Sequence, residues 1–241
     1  MPDNPDYSKY LPNSNRFSLQ DMGELAARLG SVSVFDRRGE VLWYDNFSYG
    51  MGGFATGAFG TGSSVALSSI YTHRFPFSLL LRSGSTSALT ALIEKFIGTF
   101  GSPRFGIELG FAYGSNADYI QVLLGANQFG SAYKGILRIF ADTGIIKVLD
   151  ENAVYRTVGT CFTFITDPPS FLNIKLVIDF ELNKYIRLMV NSQSFDLTPY
   201  DIRNDGDASV GQVHIAVYNV GDNGQNSNMY VSYIIVTANE P

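Results

Sequence analysis

From residue 31 onward the chain breaks into about fifteen short runs of alternating or wholly apolar residues, each bounded by Gly, Asn, Asp or Pro. That spacing is the strongest constraint on what the chain can fold into. The runs are strand-sized, and no amphipathic helices alternate with them, so a parallel α/β sheet has nothing to build its crossovers from. An antiparallel all-β domain of two packed sheets is the expectation. Its strand candidates include EVLWYDNF (40–47), RFGIELGFAY (104–113), DYIQVLLG (118–125), YKGILRIFA (133–141) and GIIKVLD (144–150). Further candidates are SVSVF (31–35), CFTFIT (161–166), FLNIKLVIDFE (171–181), KYIRLMVN (184–191), GQVHIAVYNV (211–220) and NMYVSYIIVT (228–237). The Gly-rich stretch YGMGGFATGAFGTGS (49–63) reads as a loop. It is followed by a β-like run, so no helix N-terminus is there to hold a phosphate.

Two segments precede the β region. Residues 1–17 are polar and contain Pro2, Pro5 and Pro12, which predicts an extended arm with Tyr7, Tyr10, Leu11 and Phe17 as anchors. Residues 18–29 predict a short helix, with Leu19, Met22, Leu25, Ala26 and Leu29 on one stripe, Ser18 as N-cap and Gly30 as the stop. The expected organisation is an arm plus helix over 1–30 and a β-sandwich over 31–241.

Composition narrows the function classes. There are 17 Lys and Arg against 22 Asp and Glu, a formal net charge of −5, which argues against a nucleic-acid partner. At 45% hydrophobic residues the chain is not a disordered one. The single cysteine, Cys161, cannot form a disulfide framework and reads as a small buried hydrophobe. There is no apolar run long enough to cross a membrane and no signal-peptide pattern at the start, so synthesis in the cytoplasm without membrane insertion is expected.

Residues 171–197 form the clearest local signal. Leu172, Ile174, Leu176, Ile178 and Phe180 alternate with Asn173, Lys175, Asp179 and Glu181, and the next strand alternates likewise. A three-residue loop, Leu182 to Lys184, pairs Phe180 with Ile186, Ile178 with Leu188, and Asp179 with Arg187. It keeps the apolar set on one face, so it is the predicted register.

This hairpin resembles an element of the concanavalin A-like sandwiches, which include legume lectins, laminin G-like modules and laminarinase-type glucanases. The matching residues are Lys184-Tyr185 to Asn191, then Phe195 to Leu197. The opening Trp43-Tyr44-Asp45-Asn46-Phe47 and the closing Tyr230 to Val236 are similar to the first and last strands of such modules. The resemblance spans roughly residues 40–240 and implies an antiparallel two-sheet jelly roll. One such sandwich serves lectins, enzymes and structural modules alike, so function must come from the site.

The glucanases of this superfamily carry a Glu-x-Asp-x-Glu strand. Here the corresponding run is Val177-Ile178-Asp179-Phe180-Glu181, with Val177 where the nucleophile stands. That departure predicts a non-catalytic protein. The two histidines, His73 and His214, have no nucleophile elbow near them and read as surface or sheet-face residues. No cofactor is expected, but calcium is the candidate cation. Asp205, Asp207 and Asp222 lie in oxygen-rich loops such as hold calcium in laminin G-like and lectin relatives. Glycan binding would draw on Tyr113, Tyr119, Tyr133, Tyr155, Tyr218 and Tyr230.

Residues 28–47 are also similar to the opening of phage and bacterial sandwich proteins. The arm and helix would tether a subunit, and a self-contained lectin has no need of them. The leading expectation is therefore a structural component of a larger, homo-oligomeric assembly, such as a phage capsid, decoration or tail protein. Tyr7, Tyr10, Leu11, Phe17 and Leu25 would be its docking residues and the virion its location. A glycan-binding module is the alternative, and a glycoside hydrolase-like enzyme the second alternative.

Overall fold

The computed structural model describes residues 36, 38–73, 75–85, 90–98, 101–114, 116–128, 131–161, 169–207, 211–221 and 224–241. The arm, the expected helix, and the expected strands at 31–35 and beyond Cys161 in 161–166 lie outside these residues. The chain divides into the units Met1–Arg37 and Arg38–Pro241, and the second is the sandwich.

Sixteen strands are described. In chain order they are β1 (Glu40–Asp45), β2 (Ala55–Ala58), β3 (Ser64–Ser68), β4 (Ser78–Arg82), β5 (Thr90–Gly98), β6 (Arg104–Tyr113), β7 (Ala117–Gln128) and β8 (Ser131–Phe140). They continue with β9 (Ile145–Leu149), β10 (Tyr155–Thr160), β11 (Leu172–Asp179), β12 (Lys184–Val190), β13 (Gln193–Asp196), β14 (Arg203–Asp207), β15 (Gln212–Gly221) and β16 (Asn228–Ala238). The first sheet runs β13-β12-β11-β6-β16-β4-β3, with β1 also on β16. The second runs β10-β9-β8-β7-β15-β5-β2, with β14 also on β8. Every described pairing is antiparallel, as in hairpin-built sandwiches.

Alternation puts one side of each sheet into a shared core. Ile107, Leu109 and Phe111 of β6, Ile174 and Leu176 of β11, and Val231, Ile234 and Val236 of β16 face it from the first sheet, all fully buried. Ile120, Val122 and Leu124 of β7, Leu137 and Ile139 of β8, and Val213, Ile215 and Val217 of β15 face it from the second. Two tyrosines of the first sheet cross this core to the backbone of the second. The Tyr113 hydroxyl accepts the Ile120 N–H at 2.7 Å and donates to Ile139 O at 2.5 Å. The Tyr185 hydroxyl accepts the Ile136 N–H and donates to Leu149 O, both at 2.8 Å. Ile136 sits where β8 passes from β14, paired along 131–134, to β9, paired along 137–139. The hydroxyl thus satisfies a backbone group at a gap in the ladder.

Three sequence expectations are corrected. The β11–β12 register differs: Leu176 faces Leu188, Val177 faces Arg187, Ile178 faces Tyr185 and Asp179 faces Lys184. A bulge leaves Ile186 as the extra residue, which reverses the phase and turns Tyr185 inward. Asp179 therefore pairs with Arg104 of β6 at 2.6 Å, and Arg187 pairs with Glu240. The stretch 49–63 is not all loop, because Ala55–Ala58 pairs with β5 through its backbone. Likewise 203–207 is a short strand on β8.

Candidate functional site

The outer face of the second sheet carries the side chains that alternation keeps out of the core. On β7 these are Tyr119, Gln121 and Leu123; on β8 Lys134, Ile136, Arg138 and Phe140; on β15 His214, Ala216 and Tyr218. The register sorts them into rows across the strands. One row is Tyr218, Gln121, Arg138 and Lys147. The next is Glu94, Ala216, Leu123 and Ile136, and beyond it come Phe96, His214, Gly125, Lys134 and Arg203. Ala216 and Leu123 are buried at 1% and 6% exposure, while Tyr218, Arg138 and His214 on either side are half-buried. The middle row is short, and the longer tyrosine–arginine and histidine rows flank it as the two sides of a shallow trough whose floor they largely cover.

The first wall is held by π contacts. The Arg138 guanidinium carbon lies 4.6 Å from the Tyr119 ring centre and 3.8 Å from that of Tyr155. Its Nε donates to Gln121 Oε1 at 2.8 Å, and the Tyr155 hydroxyl donates to the same oxygen at 3.3 Å. Lys147 Nζ sits 4.9 Å from the Phe140 ring centre, and Phe140 packs on Tyr119 at 5.1 Å. Such contacts fix a cation without neutralising it. Burial pushes the Tyr119 and Tyr155 phenols up, with Arg138 opposing, so both stay protonated donors at neutral pH.

On the second wall Phe96 and His214 stack at 4.3 Å with ring planes 14° apart. His214 Nε2 stands 3.3 Å from Glu94 Oε2 without the alignment of a hydrogen bond. Burial lowers the imidazole below its usual range and outweighs the Glu94 carboxylate, so His214 is neutral at pH 7. Lys134 and Arg203 both contact the Asp205 carboxylate, Lys134 at 2.5 Å. Burial raises that carboxyl, but the two cations hold it below its usual range.

The six tyrosines separate cleanly. Tyr113, Tyr133 and Tyr230 are buried: Tyr113 bridges the sheets, Tyr133 lies 6.4 Å from the Phe180 ring, and Tyr230 lies 5.1 Å from the Tyr71 ring. Tyr119, Tyr155 and Tyr218 share the trough face. His214 is on the sheet face as expected, and His73 stacks on Phe171 at 5.4 Å. Cys161 is half-buried rather than buried, at the end of β10, with its thiol pushed up by burial. Of the calcium candidates, Asp205 is engaged by two cations, while the Asp207 side chain and Asp222 lie outside the described residues. No group of three His, Cys, Asp or Glu among the described residues is placed to hold a metal ion. Tyr7, Tyr10, Leu11, Phe17 and Leu25 lie outside the described residues. Val177 is buried on the outer face of the first sheet, away from the trough. Arg138, Lys147, Gln121 and Glu94 were not singled out from the sequence. The signal available was phase alone: each alternates with residues of the core.

No protein-family model matches the chain, and no curated protein matches it. Solved structures do. An endo-β-1,4-glucuronan lyase from the fungus Trichoderma reesei is similar with a TM-score of 0.57 and 11% identity, over 82% of this chain and 95% of that one. A carbohydrate esterase from the Shiga toxin-encoding bacteriophage phi24B is similar with a TM-score of 0.53 and 13% identity, over 84% of this chain and 100% of that one. A sialidase is similar with a TM-score of 0.51 and 11% identity over 84% of this chain, which spans 19% of that larger protein. At these identities the likeness is one of fold: two antiparallel sheets in the same jelly-roll arrangement.

Proposed function

We propose that this chain, a concanavalin A-like jelly-roll sandwich, binds a polysaccharide along the trough of its second sheet and does not cleave it. The observation that carries this reading is the trough itself. A floor of Ala216 and Leu123 lies between Tyr218, Tyr155 and Arg138 on one side and Phe96 and His214 on the other. Aromatic rings beside hydrogen-bonding side chains suit a sugar, which has apolar ring faces and hydroxyl edges. The solved structures of a glucuronan lyase and a carbohydrate esterase lend support, since both act on carbohydrate with this fold. Against cleavage stands Val177, an apolar side chain at the position that holds the nucleophile in the glucanases the hairpin resembles. The test is affinity electrophoresis of the full chain through gels containing polysaccharide. Tyr218→Ala should weaken retardation about fivefold while leaving the fold intact. Unchanged retardation would place binding elsewhere.

A second reading makes the chain a subunit of an assembly, such as a virion, docked through its first 30 residues. It is supported by exposed apolar side chains on the sandwich: Val41 at 58%, Phe59 at 51% and Ile70 at 74%. Deleting residues 1–30 should then lower the mass measured by light scattering to that of one folded sandwich. An unchanged mass removes the tether.

A further inference from the structure

Arg138 and Lys147 are Cα partners on adjacent strands, β8 and β9. Like charges placed directly opposite each other destabilise a sheet. Proteins relieve such pairs with a carboxylate, and this chain has acid to spare, with 22 Asp and Glu against 17 Lys and Arg. Yet among the described residues neither cation has a carboxylate partner. Arg138 takes Gln121, Tyr119 and Tyr155, all neutral, and Lys147 takes the Phe140 ring. On the same face, in the histidine row, the charges of Lys134 and Arg203 are balanced by Asp205 and by Glu94 beside the neutral His214, so the excess positive charge is that of Arg138 and Lys147. A net-negative protein thus keeps a locally positive wall along one side of the trough. The wall is built rather than accidental, because two rings pack on the guanidinium and Gln121 fixes its Nε.

We propose that the ligand of the trough is an anionic polysaccharide, whose carboxylate or sulfate groups are taken by Arg138 and Lys147 while its sugar rings lie along the tyrosines. This rests on the trough being a polysaccharide site and adds the chemical class of the ligand. With its Nε engaged, Arg138 offers its remaining fork of N–H donors, a shape that fits two oxygens of one acid group. Lys147 supplies a point charge from the neighbouring strand, where it faces Arg138. Uronate carboxylates and sulfate esters share this chemistry.

The experiment compares three probes against the full chain by affinity electrophoresis and calorimetry: polygalacturonate, dextran sulfate and neutral hydroxyethylcellulose. The expected result is retardation by one or both polyanions at least tenfold stronger than by the neutral polymer, weakening as salt rises. A preference for polygalacturonate identifies uronate as the anion, and a preference for dextran sulfate identifies sulfate. Arg138→Gln should lower polyanion affinity about tenfold, and Arg138→Lys, which keeps the charge but not the fork, should fall between. Arg82→Gln removes the same charge from an exposed position on β4 of the other sheet and should change nothing. Thermal melts of each variant separate lost binding from lost folding. Tight binding of the neutral polymer without the polyanions overturns the anionic class and leaves the polysaccharide reading standing. Equal losses from Arg82→Gln and Arg138→Gln overturn the assignment to this wall. Failure of all three probes to bind overturns both readings together.

Discussion

The outer faces of the two sheets handle charge in opposite ways. On the first sheet Lys175 is fully buried, with Nζ 2.8 Å from Glu240 Oε1 and 2.7 Å from Arg38 O. Glu240 also takes Arg187 and the Thr237 hydroxyl, the latter at 2.6 Å. The space for this cluster comes from glycine. A Cβ at Gly106 would stand 2.5 Å from Thr237 Oγ1 and 3.0 Å from Glu240 Oε1. On the second sheet Arg138 and Lys147 are braced by rings and, among the described residues, given no acid. A buried cation must be neutralised within the protein, because its desolvation is otherwise too costly. A cation left open to solvent can be held in place and left uncompensated. The first arrangement serves the fold, and the second leaves its charge for something outside the chain.

The largest test of that contrast is Glu240→Ala. It removes the shared carboxylate of Lys175 and Arg187, and unfolding stability in urea should fall by about 3–5 kcal/mol. Arg138→Gln, measured the same way, should cost less than about 1 kcal/mol, since its site is half-open. Equal losses from the two variants would erase the distinction between the faces. A smaller effect is expected from pH. Burial depresses the His214 imidazole below 6.5, while Glu94 opposes that shift and Lys134 adds to it. As pH falls, the unfolded chain takes up its proton near 6.5, before the folded protein does. His214 therefore lowers stability progressively as pH drops through 6.5 towards the depressed value, and has no effect above it. His214→Gln should shrink the difference between urea midpoints at pH 7.5 and 5.5. An unchanged difference would mean that the second sheet's face is wetter than its packing implies.

Much of the fold was legible because period-2 alternation is a local signal. Strands such as Ile120-Gln121-Val122 or Leu137-Arg138-Ile139 announce both their structure and their phase. β2 escaped because Ala55-Thr56-Gly57-Ala58 pairs through its backbone and buries almost nothing. The β11–β12 register escaped because the bulge at Ile186 places a tyrosine where alternation puts an isoleucine. The tyrosines could not be sorted for a different reason. β6 and β16 are buried on both faces, so Tyr113 and Tyr230 carry no outward phase to read. The site was half legible. The phase of Arg138 was present in its own strand, but the absence of an acid beside it is a property of neighbours supplied by β7, β9 and β10.

The hydroxyl that fills the ladder gap at Ile136 also acts as a reporter. Most amides in an edge or irregular strand exchange with deuterium when their own strand frays. The Ile136 amide is held by a side chain from the opposite sheet, so it is released only when the two sheets part. Its exchange rate therefore reads the opening of the whole sandwich from a position two residues away from Arg138. Ligand that stabilises the sandwich would slow that amide, and the Ile120 amide held by Tyr113, without touching either.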